Sequence, residues 1–258
     1  MMMESILPTL RKLRLSGLTS TLELRLHEAA SSGLGHLEFL ELLLQDELLL
    51  RNDRLMERRT VAAGFRDLKR LEDFDFSFNS SIKKNKIFDL ATCRFVREHR
   101  DILLIGPPGT GKSHLVQAIG LAAIRTGCTV YYRSIFDTVR DFLHDEAMDG
   151  HERIMQRYLK PDLLIIDDMG IKNLPKRSGE YLFEIIMRRY EVKSTIMTSN
   201  RPLEDWGKLL GDVPSATAIL DRFLHHAEIL QITGRSYRLE NRENGPKRAK
   251  APTGSEAE

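Results

Sequence analysis

Ile102-Leu-Leu-Ile105-Gly106-Pro-Pro-Gly109-Thr-Gly111-Lys112-Ser113-His114-Leu-Val116 decides how this chain is read. Four apolar residues run into a loop of glycine and proline, and the loop opens into a helical pattern. The order strand, glycine loop, helix, with Gly-x4-Gly-Lys-Ser spacing, is that of a phosphate-binding loop. The residue types follow from the chemistry. Gly106, Gly109 and Gly111 keep Cβ atoms away from backbone amides that must wrap a phosphate. The helix N-terminus adds its partial positive charge. Pro107, Pro108 and Thr110 complete the loop, and His114 begins the helix beside it. Lys112 is spaced to bridge β- and γ-phosphate oxygens, and Ser113 to offer a hydroxyl to Mg²⁺. Residues 106–114 are therefore the candidate site for ATP with magnesium.

Outward from this loop the texture alternates between strand and helix. Apolar runs expected as buried strands occur at 102–105, 129–132, 163–166, 194–198 and 228–232. Helical stretches at 113–125, 135–144, 180–192 and 216–224 separate them. Such alternation implies right-handed crossovers and a parallel sheet sandwiched by helices, an α/β fold. In such sheets ligands bind beyond the C-terminal strand ends. Leu163-Leu-Ile-Ile-Asp167-Asp168 ends a strand in two acids. Asp167 is the candidate Mg²⁺ ligand through water, and Asp168 the group that orients the attacking water. Ser194-Thr-Ile-Met-Thr-Ser199-Asn200 ends another strand in polar residues, with Asn200 able to bond the water or the γ-phosphate.

The flanks differ in texture. Residues 1–70 carry helical periodicity and no strand signal, so a small all-helical N-terminal domain is expected. Ser20-Thr21 marks one helix cap, and a long helix starts near Gly35-His36 and runs toward Arg59. Residues 71–81, with Phe74, Phe76 and Phe78 alternating with polar residues, read as an extended linker. The ATPase domain spans 82–240, and 241–258 is a polar tail expected to be disordered. The 258 residues are 41% hydrophobic and 29% charged, ordinary for a globular protein. A net charge of +2 says little about partners. Cys93 and Cys128 have no metal or redox spacing. No apolar run approaches the roughly 20 residues that span a bilayer, and the N-terminus lacks a signal-peptide layout, so the expectation is a cytoplasmic protein with no membrane contact.

The acids, Asn200 and the loop together resemble the initiator and helicase-loader branch of the AAA+ ATPases. More narrowly the chain is similar to the IstB-type ATPases that assist transposases of bacterial insertion sequences. The resembling stretches are Leu71-Glu-Asp-Phe-Asp-Phe76, the loop, 163–170, 194–200 and Gly234-Arg-Ser-Tyr-Arg238, together with the leucine-rich N-terminal region. The resemblance implies a P-loop AAA+ fold and assigns two arginines. Arg222 stands where that branch carries an arginine finger, completing the ATP site of the adjacent subunit. Arg238 matches the second-sensor arginine that contacts phosphate in cis. Arg188 and Arg189 compete for the role in trans. Asp168 departs from the glutamate common in AAA+ enzymes; its shorter side chain implies slow hydrolysis. Family likeness further implies a homo-oligomer with ATP sites at subunit interfaces, binding to duplex DNA without sequence preference, and a cognate transposase as partner.

Three basic clusters are candidate DNA contacts: Arg51, Arg54, Arg58 and Arg59; Lys83, Lys84 and Lys86; and Lys172, Lys176 and Arg177. They can meet phosphates without reading bases, and equally form an ordinary solvated surface. The eight histidines have no metal-ligand spacing, and Tyr131, Tyr132 and Trp206 read as packing residues. Other readings are a DnaC-like helicase loader, a small-molecule P-loop kinase and a non-catalytic nucleotide-gated module.

Overall fold

The computed structural model describes residues 2–145, 150–175 and 177–239. Lys176 and the expected tail, 241–258, lie outside the described residues. Two compact units are present, residues 1–63 and residues 64–258. The boundary lies seven residues before the one drawn from sequence, at 63 rather than 70.

The N-terminal unit is helical: α1 (Met2–Lys12), α2 (Ser16–Ser32) and α3 (His36–Ala63). Leu18, Leu22 and Leu43 form its small core, joined by Leu7, Leu10, Leu15 and Phe39. Ser20-Thr21 is not a cap. Both hydroxyls donate back to the Gly17 carbonyl, at 2.8 and 3.1 Å, inside a helix that has already begun. Short hydroxyl side chains bond locally in either setting, so the dipeptide does not distinguish them. The start of α2 is instead capped from α3: buried Glu47 accepts the Gly17 N–H at 2.6 Å and the Leu18 N–H at 3.3 Å.

The second unit is a five-stranded parallel sheet in the order β2-β3-β4-β1-β5. Its strands are β1 (Asp101–Ile105), β2 (Val130–Ser134), β3 (Leu163–Met169), β4 (Ser194–Ser199) and β5 (Ala227–Gln231). Parallel pairing in register, such as Leu103 with Met197 and Ile165 with Ile196, brings the C-terminal ends of β1, β3 and β4 side by side. The helices are α4 (Lys84–Ala91), α5 (Arg94–Arg97), α6 (Lys112–Arg125), α7 (Ile135–Asp145), α8 (His151–Leu159), α9 (Ser178–Arg189), α10 (Trp206–Leu210) and α11 (Val213–His225). β1 and the first four residues of β3 are almost wholly apolar and buried, as a sheet covered on both faces requires. One core face joins Leu103, Ile166 and Met197 to Ile185, Trp206 and Phe223. No described helix is long and apolar enough to cross a membrane.

Residues 71–81, expected as an extended linker, fold against the ATPase unit, and so does the stretch 64–70 before them. Phe74 N–H bonds the Leu71 carbonyl in a turn, and Asp75 Oδ1 accepts from the Ser77 amide at 2.9 Å. Phe74 meets His114 edge-on at 5.2 Å, Phe76 lies 5.9 Å from Phe88, and Phe78 lies 5.0 Å from Tyr237. The alternating aromatics anchor the segment on His114, Phe88 and Tyr237.

Candidate functional site

The phosphate-binding loop is built as its sequence requires. It leaves β1, reaches positive φ at Gly109 (81°) and Gly111 (96°), and enters α6 at Lys112. A side chain at either glycine would be strained in backbone and would collide, at Gly109 with Ser236 and at Gly111 with the Phe74 ring. Thr110 Oγ1 donates to the Pro107 carbonyl at 2.9 Å. Lys112 is 5% exposed, and its ammonium donates to the Gly106 and Pro107 carbonyls at 2.7 and 2.8 Å. Burial brings its pKa from 10.5 down to about 8, against the pull of Asp167 and Asp168. The cation that would meet phosphate is therefore held inside the loop on acceptors it can exchange.

A cleft of about 650 Å³ opens above this loop, lined among others by residues 108–114, Arg66, Phe74, Phe78, Tyr132, Asp168, Asn200, Tyr237 and Arg238. The structure thus brings together Lys112, Ser113, His114, Asp168, Asn200 and Arg238. Gly106 and Pro107 form the loop's base through the carbonyls that hold Lys112. Arg238 arrives because the Tyr237 N–H bonds the Gly109 carbonyl at 3.0 Å, which seats residues 236–238 beside the loop. Asn200 is fixed by its N–H to the Met169 carbonyl at 2.8 Å, tying the ends of β3 and β4.

The two acids at the end of β3 have different surroundings. Asp167 is fully buried and does not line the cleft. Its Oδ1 accepts from the Thr198 hydroxyl and from the Asp168 N–H at 2.9 Å, and its Oδ2 from the Tyr132 hydroxyl at 2.6 Å. Burial and the adjacent Asp167 push the Tyr132 hydroxyl pKa upward, keeping it a donor. A carboxylate has about four acceptor positions, and these three donors leave one of them on Asp167 unfilled by the bonds named. With the Ser113 hydroxyl at the cleft, this hard-oxygen set suits magnesium. Asp168 takes the left-handed region at φ 68°, unusual for a non-glycine residue. Its N–H is held by Asp167 and by Thr198 Oγ1 at 3.1 Å, and its carboxylate accepts from Arg66 Nη1 at 2.7 Å. Burial and the charge on Asp167 raise its pKa, and Arg66 opposes them.

Not every candidate joins the cleft. Arg222 sits in the last turn of α11, half exposed, 3.8 Å from Asp221 and with its guanidinium over the Tyr190 ring at 5.7 Å. Arg189 is unsuited to a role in trans: it is 1% exposed and donates to the carbonyls of Tyr158, Pro161 and Ser194 and to Thr195 Oγ1. Arg188 bonds both oxygens of Glu152 at 3.0 Å. Among the basic candidates, Arg51 pairs with Glu47 at 2.6 Å and Arg54 donates to Ser16 Oγ at 2.6 Å. Lys86 pairs with Glu228, Arg177 with Glu180 at 3.1 Å, and Lys172 lies over Phe136 at 4.9 Å. Arg58, Lys83 and Lys84 are exposed, with Lys84 5.6 Å from the Phe88 ring, and Arg59 is partly buried. Arg66, Tyr132 and Thr198 are site residues that the sequence reading did not assign. Tyr132 read as a packing residue.

Strand order, glycine loop and paired acids define a P-loop nucleotide-binding protein of the AAA+ type. The model of the family described as IstB-like ATP binding protein matches residues 8–245, and the chain belongs to that family. It is 36% identical over 233 residues to a putative ATP-binding protein of insertion sequence IS21 from Pseudomonas aeruginosa, covering 90% of this chain and 88% of that one. Against the counterpart of insertion sequence IS5376 from Geobacillus stearothermophilus, identity is 36% over 211 residues, with 82% and 84% covered. Among solved structures, AMPPCP-bound DnaA from Aquifex aeolicus superposes with a TM-score of 0.55 at 21% identity, over 72% of this chain and 58% of that chain. The likeness extends to the AAA+ fold, and the chain is an ATPase of that class.

Proposed function

We propose that this ATPase is a DNA-binding helper of a transposase: its ATP state oligomerises on duplex DNA, deforms it and recruits the transposase, and hydrolysis releases the assembly. The observation that carries the reading is the match over residues 8–245 to the IstB-like ATP binding family, with its likeness to ATP-binding proteins of insertion sequences, joined to a cleft lined by Lys112, Ser113, Asp168, Asn200 and Arg238. Loop amides and Lys112 bind the β- and γ-phosphates. Ser113 and, through water, Asp167 would hold magnesium, which would supply charge neutralisation at the phosphate oxygens. Asp168 orients the attacking water, and Asn200 bonds that water or the γ-phosphate. Arg238 contacts phosphate in cis. Arg222, exposed and outside its own cleft, completes the neighbouring subunit's site; a guanidinium there accelerates phosphoryl transfer by about 10³-fold or more.

DNA contact falls to Arg58, Lys83 and Lys84 first, since neighbouring acids offset Arg51, Lys86 and Arg177. The test is strand transfer by the transposase of the same insertion element, with this protein and ATP or ADP. Stimulation with ATP and none with ADP is expected; equal activity with and without the protein would contradict the helper role.

A further inference from the structure

Arg66 belongs to none of the motifs above, yet it bonds the carboxylate assigned to the attacking water. Its Nη1 donates to Asp168 Oδ2 at 2.7 Å, with the Arg66 side chain 50% exposed and that of Asp168 16% exposed. The segment carrying it is pinned to the P-loop helix. The Asp67 N–H donates to Gln117 Oε1 at 3.1 Å, and the Arg70 carbonyl lies 2.8 Å from His114 Nε2. The backbone of Arg66 is thereby held beside the loop, with its half-exposed side chain at the cleft. Like Lys112, it is a cleft cation resting on a protein acceptor.

We infer that Arg66 reads the γ-phosphate in cis: a bound triphosphate competes with Asp168 for the Arg66 guanidinium and takes it, leaving Asp168 to the attacking water. A γ-phosphate carries more charge than one carboxylate and accepts the two parallel N–H bonds that a guanidinium presents. The Arg66 side chain is 50% exposed, so its guanidinium is open to exchange from Asp168 to a phosphate. A diphosphate has nothing at that position, so the exchange discriminates ATP from ADP. Asp168 is then released only when the phosphoryl group it serves is present.

The inference rests on the assignment of the cleft to ATP, and one experiment separates the two. Calorimetric titration of wild type, Arg66→Ala and Arg66→Lys with AMPPCP and with ADP, each with Mg²⁺, gives the preference for triphosphate. In Arg66→Ala the preference falls about tenfold, the equivalent of one charge-assisted bond, while ADP affinity changes less than about twofold. Arg66→Lys keeps the charge and most of the preference. An unchanged preference in Arg66→Ala overturns the inference, as does a parallel loss for both nucleotides, which would mark Arg66 as structural. Tighter AMPPCP binding also overturns it, leaving Arg66 a restraint on Asp168 alone. If wild type binds neither nucleotide, the assignment of the cleft itself fails.

Discussion

Lys112→Met separates what the phosphate-binding lysine does for ligand from what it costs the fold. Methionine keeps most of the aliphatic stem but drops the charge. The ammonium is buried and its pKa is pushed from 10.5 down to about 8. That depression corresponds to about 3 kcal/mol against the charged form. The two carbonyl bonds, to Gly106 and Pro107, return about 1–2 kcal/mol. Removing the charge should therefore stabilise the empty protein by about 1–2 kcal/mol, or roughly 3–6 °C in Tm. A lysine depressed in the folded state carries its full penalty below pH 8, and the penalty fades between pH 8 and 10.5; the gain from Lys112→Met follows the same course. Nucleotide binding moves the other way. Charge-assisted contacts to two phosphate oxygens, less the carbonyl bonds given up, amount to about 2–4 kcal/mol, or about 30- to 1,000-fold in affinity. Calorimetry with AMPPCP and a thermal melt at pH 7 measure both. An affinity loss under about threefold, or a melt several degrees lower, would refute the reasoning.

Three further outcomes follow from the same geometry. Asp168→Ala keeps ATP binding and traps the ATP-bound assembly, so single-turnover hydrolysis falls by at least about 100-fold while filter-retained nucleotide persists; rapid disassembly would contradict the water-orienting role. Arg222→Ala binds ATP but turns over slowly, and mixing it with Lys112→Ala restores part of the activity, because each mutant supplies what the other lacks. Full activity of Arg222→Ala alone would exclude the finger. Asp101, buried at the start of β1 with its Oδ1 accepting the Thr195 N–H at 2.6 Å, is raised by burial from 3.8 to about 7. A raised acid favours the protonated folded state, so stability is full below about pH 4 and declines as pH rises through 7, by about 2–4 kcal/mol. Urea unfolding of Asp101→Asn should lose that slope and be more stable than wild type at pH 8; an unaltered slope would place its origin elsewhere.

Much of the ATPase core was legible because its signals are local. The apolar runs lie within three residues of the strand ends, since a strand covered on both faces needs unbroken apolar sequence. The glycines and Lys112 are dictated by one ligand. Residues that act across long separations were not legible. Arg66 and Asp168 are 102 positions apart, and Arg66 stands in a run of cations that reads as surface. Tyr132 alternates with packing residues along β2, and only the fold reveals that its hydroxyl meets Asp167. Helix α4 was hidden because Lys84-Asn-Lys-Ile-Phe-Asp-Leu-Ala91 is short and half polar. Arg188 and Arg189 looked equivalent as helix-end cations, yet the turn after α9 buries one among carbonyls and leaves the other beside Glu152.

The central claim is that ATP controls this protein's own assembly on DNA. Sedimentation of the protein on a random-sequence duplex at low salt, with AMPPCP or with ADP, tests it most directly. The account predicts a large multi-subunit complex with AMPPCP that is absent or much smaller with ADP and falls apart as salt rises. No duplex binding in either state, or an identical complex in both, would contradict it.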